Sequence, residues 1–266
     1  MPEKTRLDVA LARSGLARSR EQARALILSG GVRVGGVLAL KPSLPVQDGE
    51  KIEVSGAMRY VSRGGLKLEK ALKAFCIDID GRVCIDVGAS TGGFTDCMLQ
   101  NGAAKVYAVD VGAGQLDKGL RGDPRVVNIE KTNFRYMQKS ALPEQITFAS
   151  VDVSFISLKI ILNVLYEFLS ENGEAVCLIK PQFEAGRGNI GKNGVIKSRS
   201  IHINIIKGMI THASNLGFNI LDVEFSPVKG PEGNIEYLLH IKRGAGEILI
   251  SETCVISVVE SAHKEL

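Results

Sequence analysis

Val83-Cys84-Ile85-Asp86-Val87-Gly88-Ala89-Ser90-Thr91-Gly92-Gly93-Phe94-Thr95 reads as a short apolar strand, a glycine-rich turn and the opening of a helix. Glycine lets the backbone approach a ligand closely, and a helix start offers unpaired N–H donors. Gly88, Gly92 and Gly93 do not follow the G-x-G-x-x-G spacing of dinucleotide-binding folds, and no Gly-Lys-Ser/Thr follows to cradle a phosphate. A tight turn without a ligand is the competing reading. Asp110 then ends the next apolar run, 18 residues beyond Gly92. A carboxylate at such a strand end can accept both hydroxyl protons of an adenosine ribose. Glycine loop and strand-end acid together favour a cofactor site over a bare turn.

The alternation that begins here continues outward. Apolar strand-like runs appear at Val83–Val87, Lys105–Val109, Val126–Ile129, Phe148–Val151, Ala175–Ile179, Ile220–Phe225 and Tyr237–Ile241, with helical stretches clearest at Ser157–Leu169 and Ser200–Leu216. Such alternation implies an α/β fold, a mostly parallel sheet covered by helices. A helix over Gly65–Phe75 precedes the first strand. Only Ser226–Glu236 joins the last two strands, too short for a helical crossover, so they form an antiparallel hairpin at one edge. Seven strands with a terminal hairpin resemble the Rossmann-like sheet of S-adenosylmethionine-dependent methyltransferases.

Four charged residues look chemical. Lys67 opens the helix after Tyr60-Val-Ser-Arg-Gly-Gly; Asp152 ends the fourth strand; Lys180 ends the fifth, before Pro181; Glu236 begins the last. Surface charge or helix capping is the bland reading of each alone. Three of them, however, stand at ends of buried strands, at the edge where open α/β sheets bind ligands. Lys180 is the sharpest case, because proline forces the strand to stop beside it.

Ahead of this domain lies a smaller unit. Of 266 residues with net charge +4, residues 1–58 hold 9 basic and 6 acidic side chains, and the remainder hold 24 and 23. Most of the excess charge thus sits in the first fifth of the chain, which suits a basic module meeting an acidic partner. Leu7, Ala10 and Leu11 keep helical spacing up to Gly15. Ser19 and Gln22 make a capping-box pattern for a second helix, stopped at Gly30-Gly31. Val32–Val34, a Gly35-Gly36 turn and Val37-Leu38 read as a hairpin, and Asp48-Gly49 as a further turn before Lys51–Val54. Arg18, Arg20, Arg24 and Arg33 fall on or beside these elements. Guanidinium groups suit phosphate, with a solvated helix face as the alternative. The five cysteines form no CxxC pair and His is rare, so neither a disulfide framework nor a metal site is expected. No signal-like apolar core opens the chain, and charges interrupt every long apolar run, so a cytoplasmic protein without membrane association is expected.

Taken as a whole, the small unit resembles the αL RNA-binding domain, through Ser19-Arg-Glu-Gln-Ala23, Gly30-Gly-Val-Arg-Val34 and Asp48-Gly-Glu50. The large domain resembles FtsJ-like RNA ribose 2′-O-methyltransferases, whose signature is a Lys–Asp–Lys–Glu set at these strand positions. With both parts fused, and with "YVSRGGLKL", "DVGASTGGFTD", "VDVSFISL", "IKPQFE" and "GNIEYL", the chain is similar to the TlyA family, also labelled haemolysin A. Ser90-Thr91 stands where Ala-Pro is common in generic FtsJ proteins.

The resemblance implies an αL-type domain over 1–58, a linker over 59–64 and a methyltransferase domain over 65–266. It implies S-adenosyl-L-methionine as cofactor, held by Asp86, Gly88, Ser90, Thr91, Gly92, Gly93, Phe94 and Asp110. The catalytic set is then Lys67, Asp152, Lys180 and Glu236. The RNA-binding set is Arg6, Arg18, Arg20, Arg24 and Arg33, and the partner is ribosomal RNA or ribosomal subunits rather than DNA or membrane. Lys180 is either the proton acceptor or the charge that stabilises a developing alkoxide; Asp152 and Glu236 orient the lysines. Base methylation is disfavoured because no Asn/Asp-Pro-Pro-aromatic element and no Pro-Cys pair is present. The other readings are a membrane-lytic protein, suggested by the haemolysin label alone, and a non-catalytic RNA-binding or ribosome-assembly protein.

Overall fold

Leu7, Leu11, Ala23, Ile27, Val32 and Val34 face one another in the small unit and close its core. In the computed structural model, which describes residues 4–17, 19–28, 30–54, 59–186 and 194–266, that unit holds β1 (Thr5–Arg6), α1 (Leu7–Arg13), α2 (Arg20–Leu28), β2 (Val32–Val34), β3 (Val37–Leu38), β4 (Pro45–Val46) and β5 (Ile52–Val54). The N-cap bond of the capping-box pattern forms: the Gln22 backbone amide donates to Ser19 Oγ at 3.1 Å. The hairpin forms too, as β3 pairs with β2, which also pairs with β5. The β1–β4 pair was not legible, since two residues are too few to carry a period.

The large unit contains α3 (Gly64–Ala74), β6 (Val83–Val87), α4 (Gly93–Gln100), β7 (Lys105–Val109), α5 (Lys118–Arg121), β8 (Val126–Ile129), β9 (Ile146–Val151), α6 (Leu158–Phe168), β10 (Leu169–Ile179), α7 (Pro181–Glu184), α8 (Arg199–Asn215), β11 (Phe218–Phe225), β12 (Tyr237–Arg243) and α9 (Glu252–Glu265). Its seven strands lie in the order β11-β12-β10-β9-β6-β7-β8. β12 alone runs antiparallel, wedged between β10 and the edge strand β11. Period-2 alternation sorts the side chains: Cys84, Val106 and Ala108 join α3, α4 and α5 on one face, while Ile85, Val87 and Val109 join α6, α8 and α9 on the other. Tyr60, within the expected linker, is 2% exposed and belongs to the large domain's core. The Val61 amide also donates to Asp96 on α4 (2.8 Å), so the entry to α3 is anchored.

Two consequences position a site. β6 has β7 on one side and β9 on the other, so strand order reverses there and the loops after β6 and β9 diverge around a crevice. Because β12 runs antiparallel, its beginning lies at the edge where β6, β7, β9 and β10 end; Tyr237 pairs with Ile179. Glu236 and Lys180, 56 residues apart in sequence, therefore reach the same edge.

Candidate active site

The turn after β6 is built around contacts that only small residues permit. Gly88 has φ +88°, and a Cβ there would stand 2.5 Å from the Asp152 carbonyl oxygen. This is where the loops leaving β6 and β9 touch, and the Asp152 amide donates to Val87 O at 3.0 Å. At Gly93 a Cβ would meet Ser62 Oγ at 2.2 Å and the Gly65 amide nitrogen at 2.8 Å, so α4 starts directly against the start of α3. Asp86 lies beneath the turn, fully buried. Its Oδ2 accepts from the amide and hydroxyl of Thr95 (2.9 and 2.7 Å), and its Oδ1 accepts from Ser150 Oγ (3.0 Å). It thus supplies the acceptor that glycine cannot at the N-terminus of α4. Burial pushes its carboxyl up to about 6, against the pull of the Thr95 and Ser150 hydrogen bonds.

At the end of β7, Asp110 accepts from the Ser90 amide through Oδ2 (2.8 Å) and from the Gly112 amide through Oδ1 (2.7 Å). The carboxylate is half-buried and ties the two strand-end loops together. A cavity of about 220 Å³ is lined by Gly88, Ala89, Ser90, Thr91, Gly93 and Phe94, with Lys67 and Asp152 also at its surface. Gly92 points away, towards Leu116 and Leu120. Arg63 and Lys229, which sequence reasoning did not assign, also line the cavity. Lys229 comes from a segment that looks like an ordinary loop, whereas Arg63 lies within the quoted Tyr60–Leu68 motif, whose match could have singled it out.

The four charged residues meet. Lys67 Nζ, projecting from α3, stands 2.8 Å from Glu236 Oε2 and 3.3 Å from Asp152 Oδ2. Lys180 Nζ stands 2.5 Å from Asp152 Oδ1 and donates to Ser154 Oγ at 2.9 Å. Lys67, Lys180 and Glu236 are at most 9% exposed. Burial opposes the charge on Lys67, but Asp152 and Glu236 overcome it and hold the ammonium above its ordinary range. Burial likewise opposes ionisation of Asp152, yet Lys67 and Lys180 hold it below the usual carboxylate range. Lys67 therefore sits locked between two carboxylates, whereas Lys180 has one carboxylate and one hydroxyl. Buried charges are tolerated only when paired in this way.

Among the RNA-module arginines, Arg6 donates to Asp8 Oδ1 and Oδ2 (2.9 and 3.1 Å) and Arg20 to Asp8 Oδ2 (3.1 Å). Asp8 is fully buried, and its carboxyl is held down at about 2, chiefly by the Arg6 hydrogen bond. The two guanidinium groups are thus fixed from beneath and remain at least half exposed above. Arg24 and Arg33 are exposed, with Arg33 donating to Gly36 O at 3.0 Å. Arg18 lies outside the described residues.

Comparison with known proteins gives concordant matches. Residues 60–243 match the FtsJ-like methyltransferase family, and residues 5–52 match the S4 domain. The chain is 43% identical over 244 residues to the 16S/23S rRNA (cytidine-2′-O)-methyltransferase TlyA of Mycobacterium tuberculosis, covering 91% of each chain. It is 44% identical over 236 residues to Hemolysin A of Brachyspira hyodysenteriae, covering 88% of this chain and 98% of the other. A solved structure from Streptococcus thermophilus, described as a candidate hemolysin, superposes with a TM-score of 0.78 at 46% identity, covering 100% of this chain and 97% of that one.

Proposed function

Because the chain belongs to the FtsJ-like methyltransferase family and carries an S4 domain ahead of it, we propose that it methylates the ribose 2′-hydroxyl of a cytidine in ribosomal RNA. The observation that most supports this reading is the convergence of Lys67, Asp152, Lys180 and Glu236 beside the glycine-loop cavity. The residues fit S-adenosylmethionine: Gly88–Thr91, Gly93 and Phe94 line the cavity, and Asp110, off that lining and bonded to the Ser90 and Gly112 amides, would take the ribose hydroxyls through its remaining lone pairs. When bound, this cofactor supplies an electrophilic methyl carbon, to which the hydroxyl oxygen bonds as the carbon–sulfur bond breaks. Lys180 Nζ takes up the proton that leaves the hydroxyl. Asp152 holds that nitrogen in place, and Lys67, pinned by Glu236, holds Asp152.

In the same reading, residues 1–58 form the RNA-binding module and 65–266 the methyltransferase domain, each with its own hydrophobic core, and of the connection 59–64 Tyr60 packs into the core of the large domain. Arg6, Arg20, Arg24 and Arg33 contact phosphate. Among the described residues no helix is long and apolar enough to cross a membrane, so the hemolysin name of a relative finds no helical counterpart here.

The test is methyl transfer to ribosomal RNA by Lys180→Ala and Lys180→Arg variants, with cofactor binding followed by calorimetry. Loss of a general base costs about 100- to 10,000-fold. The alanine variant is expected to lose turnover by that much and to bind cofactor normally. The arginine variant is expected to rescue poorly, because a guanidinium keeps its proton. Robust turnover by the alanine variant would overturn the catalytic assignment.

A further inference from the structure

A neutral lysine amine has two N–H donors and one lone pair, and it is a directed base only if its rotation about the Cε–Nζ bond is fixed. At Lys180 two partners bear on that rotation. Ser154 Oγ accepts a hydrogen bond from Nζ at 2.9 Å, and Asp152 Oδ1 stands 2.5 Å away as an ion-pair partner. The Ser154 bond fixes one N–H while the Asp152 charge draws the nitrogen, and the lone pair is confined to the directions that remain. When a proton arrives there, the same two partners continue to hold the ammonium, so the arrangement need not reorganise during transfer. Asp152 alone would leave the amine free to turn about the Cε–Nζ bond.

The segment that carries Ser154 is tied to the loop after β10. Phe155, immediately after it, adopts φ +64°, a left-handed conformation costly for a bulky side chain, and is 90% exposed. Its ring packs on Phe183, with centroids 5.2 Å apart. Two residues further on, Ser157 Oγ and the Leu158 amide each donate to Glu184 at 2.7 Å. Glu184 ends α7, the short helix that begins at Pro181 beside Lys180. The loops after β9 and β10 are thereby joined three times: Lys180 to Ser154, Phe183 to Phe155, and Glu184 to the start of α6. No contact of this set lies on the wall of the cofactor cavity.

We propose that Ser154 is a positioning residue that aims the lone pair of Lys180 at the ribose hydroxyl, its loop being held by Glu184. This rests on the reading of Lys180 as the base. Ser154 is exposed, so its hydroxyl can be removed without opening a core.

Single-turnover methyl transfer to ribosomal RNA should be compared for wild type, Ser154→Ala, Ser154→Thr and Lys180→Ala, with thermal melting as a folding control. Misplacing a reacting group by about 1 Å can cost on the order of 100-fold. Ser154→Ala is expected to lower the saturating single-turnover rate, and kcat measured alongside in steady state, by roughly 10- to 100-fold, with KM for S-adenosylmethionine and for RNA unchanged and melting unaltered. Ser154→Thr, which keeps the hydroxyl, is expected to restore most of the rate. Wild-type kcat in Ser154→Ala, a loss confined to KM, or a loss that threonine does not restore would overturn the proposal while Lys180→Ala remains inactive. Wild-type turnover by Lys180→Ala would instead remove the underlying reading, and the proposal with it.

Discussion

Asp86 illustrates how one side chain can shape a candidate site without facing it. The sequence marks it as part of a strand-end motif, but its carboxylate is enclosed by Thr95 and Ser150 and shapes the glycine turn from below. Its folded pKa of about 6 lies above the ordinary 3.8. The folded state then binds the proton more tightly than the unfolded state. The stabilisation is fully present below the unfolded pKa and is lost as pH rises from about 4 through 6. Asn can take over every contact: its carbonyl accepts from Thr95 and its amide donates to Ser150. Asp86→Asn is therefore expected to abolish that fall and to match or exceed wild type at pH 7.5, by roughly 1–3 kcal/mol at most. Urea midpoints across pH 4–8 check this. Subtracting the two curves removes His202, whose pKa, lowered to about 4 chiefly by burial, destabilises the fold in the opposite sense as pH falls. A loss of more than about 1 kcal/mol at pH 7.5 would show that the ionised carboxylate is needed.

At the scale of elements, what could be read depended on how strongly each segment carried its period. β6, β7, β8 and the β11–β12 hairpin are apolar, compact and bounded by turns, and they form where expected. β10 begins six residues earlier than the apolar run Ala175–Ile179, because Ser170-Glu-Asn-Gly173 looks like a turn and joins the sheet through an irregular register beside β9. α9 escaped notice: its Val255, Ile256, Val258 and Val259 are β-branched and its polar residues are scattered, so neither period dominates. The RNA module shows a different gap. Arg6 and Arg20 were legible as basic residues, but nothing local revealed that Asp8 would hold both. Arg20→Ala leaves Arg6 on Asp8 and removes one exposed cation. It is expected to weaken ribosomal-RNA binding and to reduce the slope of log affinity against log salt by about 0.7–0.9. Filter binding between 50 and 200 mM salt (the range on the order of that over which such slopes are read) measures it. An unchanged slope would make Arg20 a structural partner of Asp8 alone.

Across the whole molecule, the sheet's strand order turns four distant residues into one site. Asp152, Lys180 and Glu236 could be nominated from strand ends, since a parallel sheet sends every carboxyl end to one edge and an antiparallel last strand returns its beginning there, whereas Lys67, on α3, joined the set through the family resemblance. How they pair could not be nominated: that Lys67 lies between both carboxylates while Lys180 shares only Asp152 depends on the placement of α3, which no local pattern encodes. Nor could Ser154 or Glu184 be picked out, because each matters only through a contact to a segment 26 to 27 residues away. The most direct measurement follows the product. Ribosomal RNA and subunits incubated with the enzyme and methyl-labelled S-adenosylmethionine are digested to nucleosides, and the labelled nucleoside is identified by mass. The expected result is label in 2′-O-methylcytidine, present with wild type and absent with Lys180→Ala. Label on a base, or no label in any RNA despite bound cofactor, would contradict a ribose methyltransferase built on these four residues.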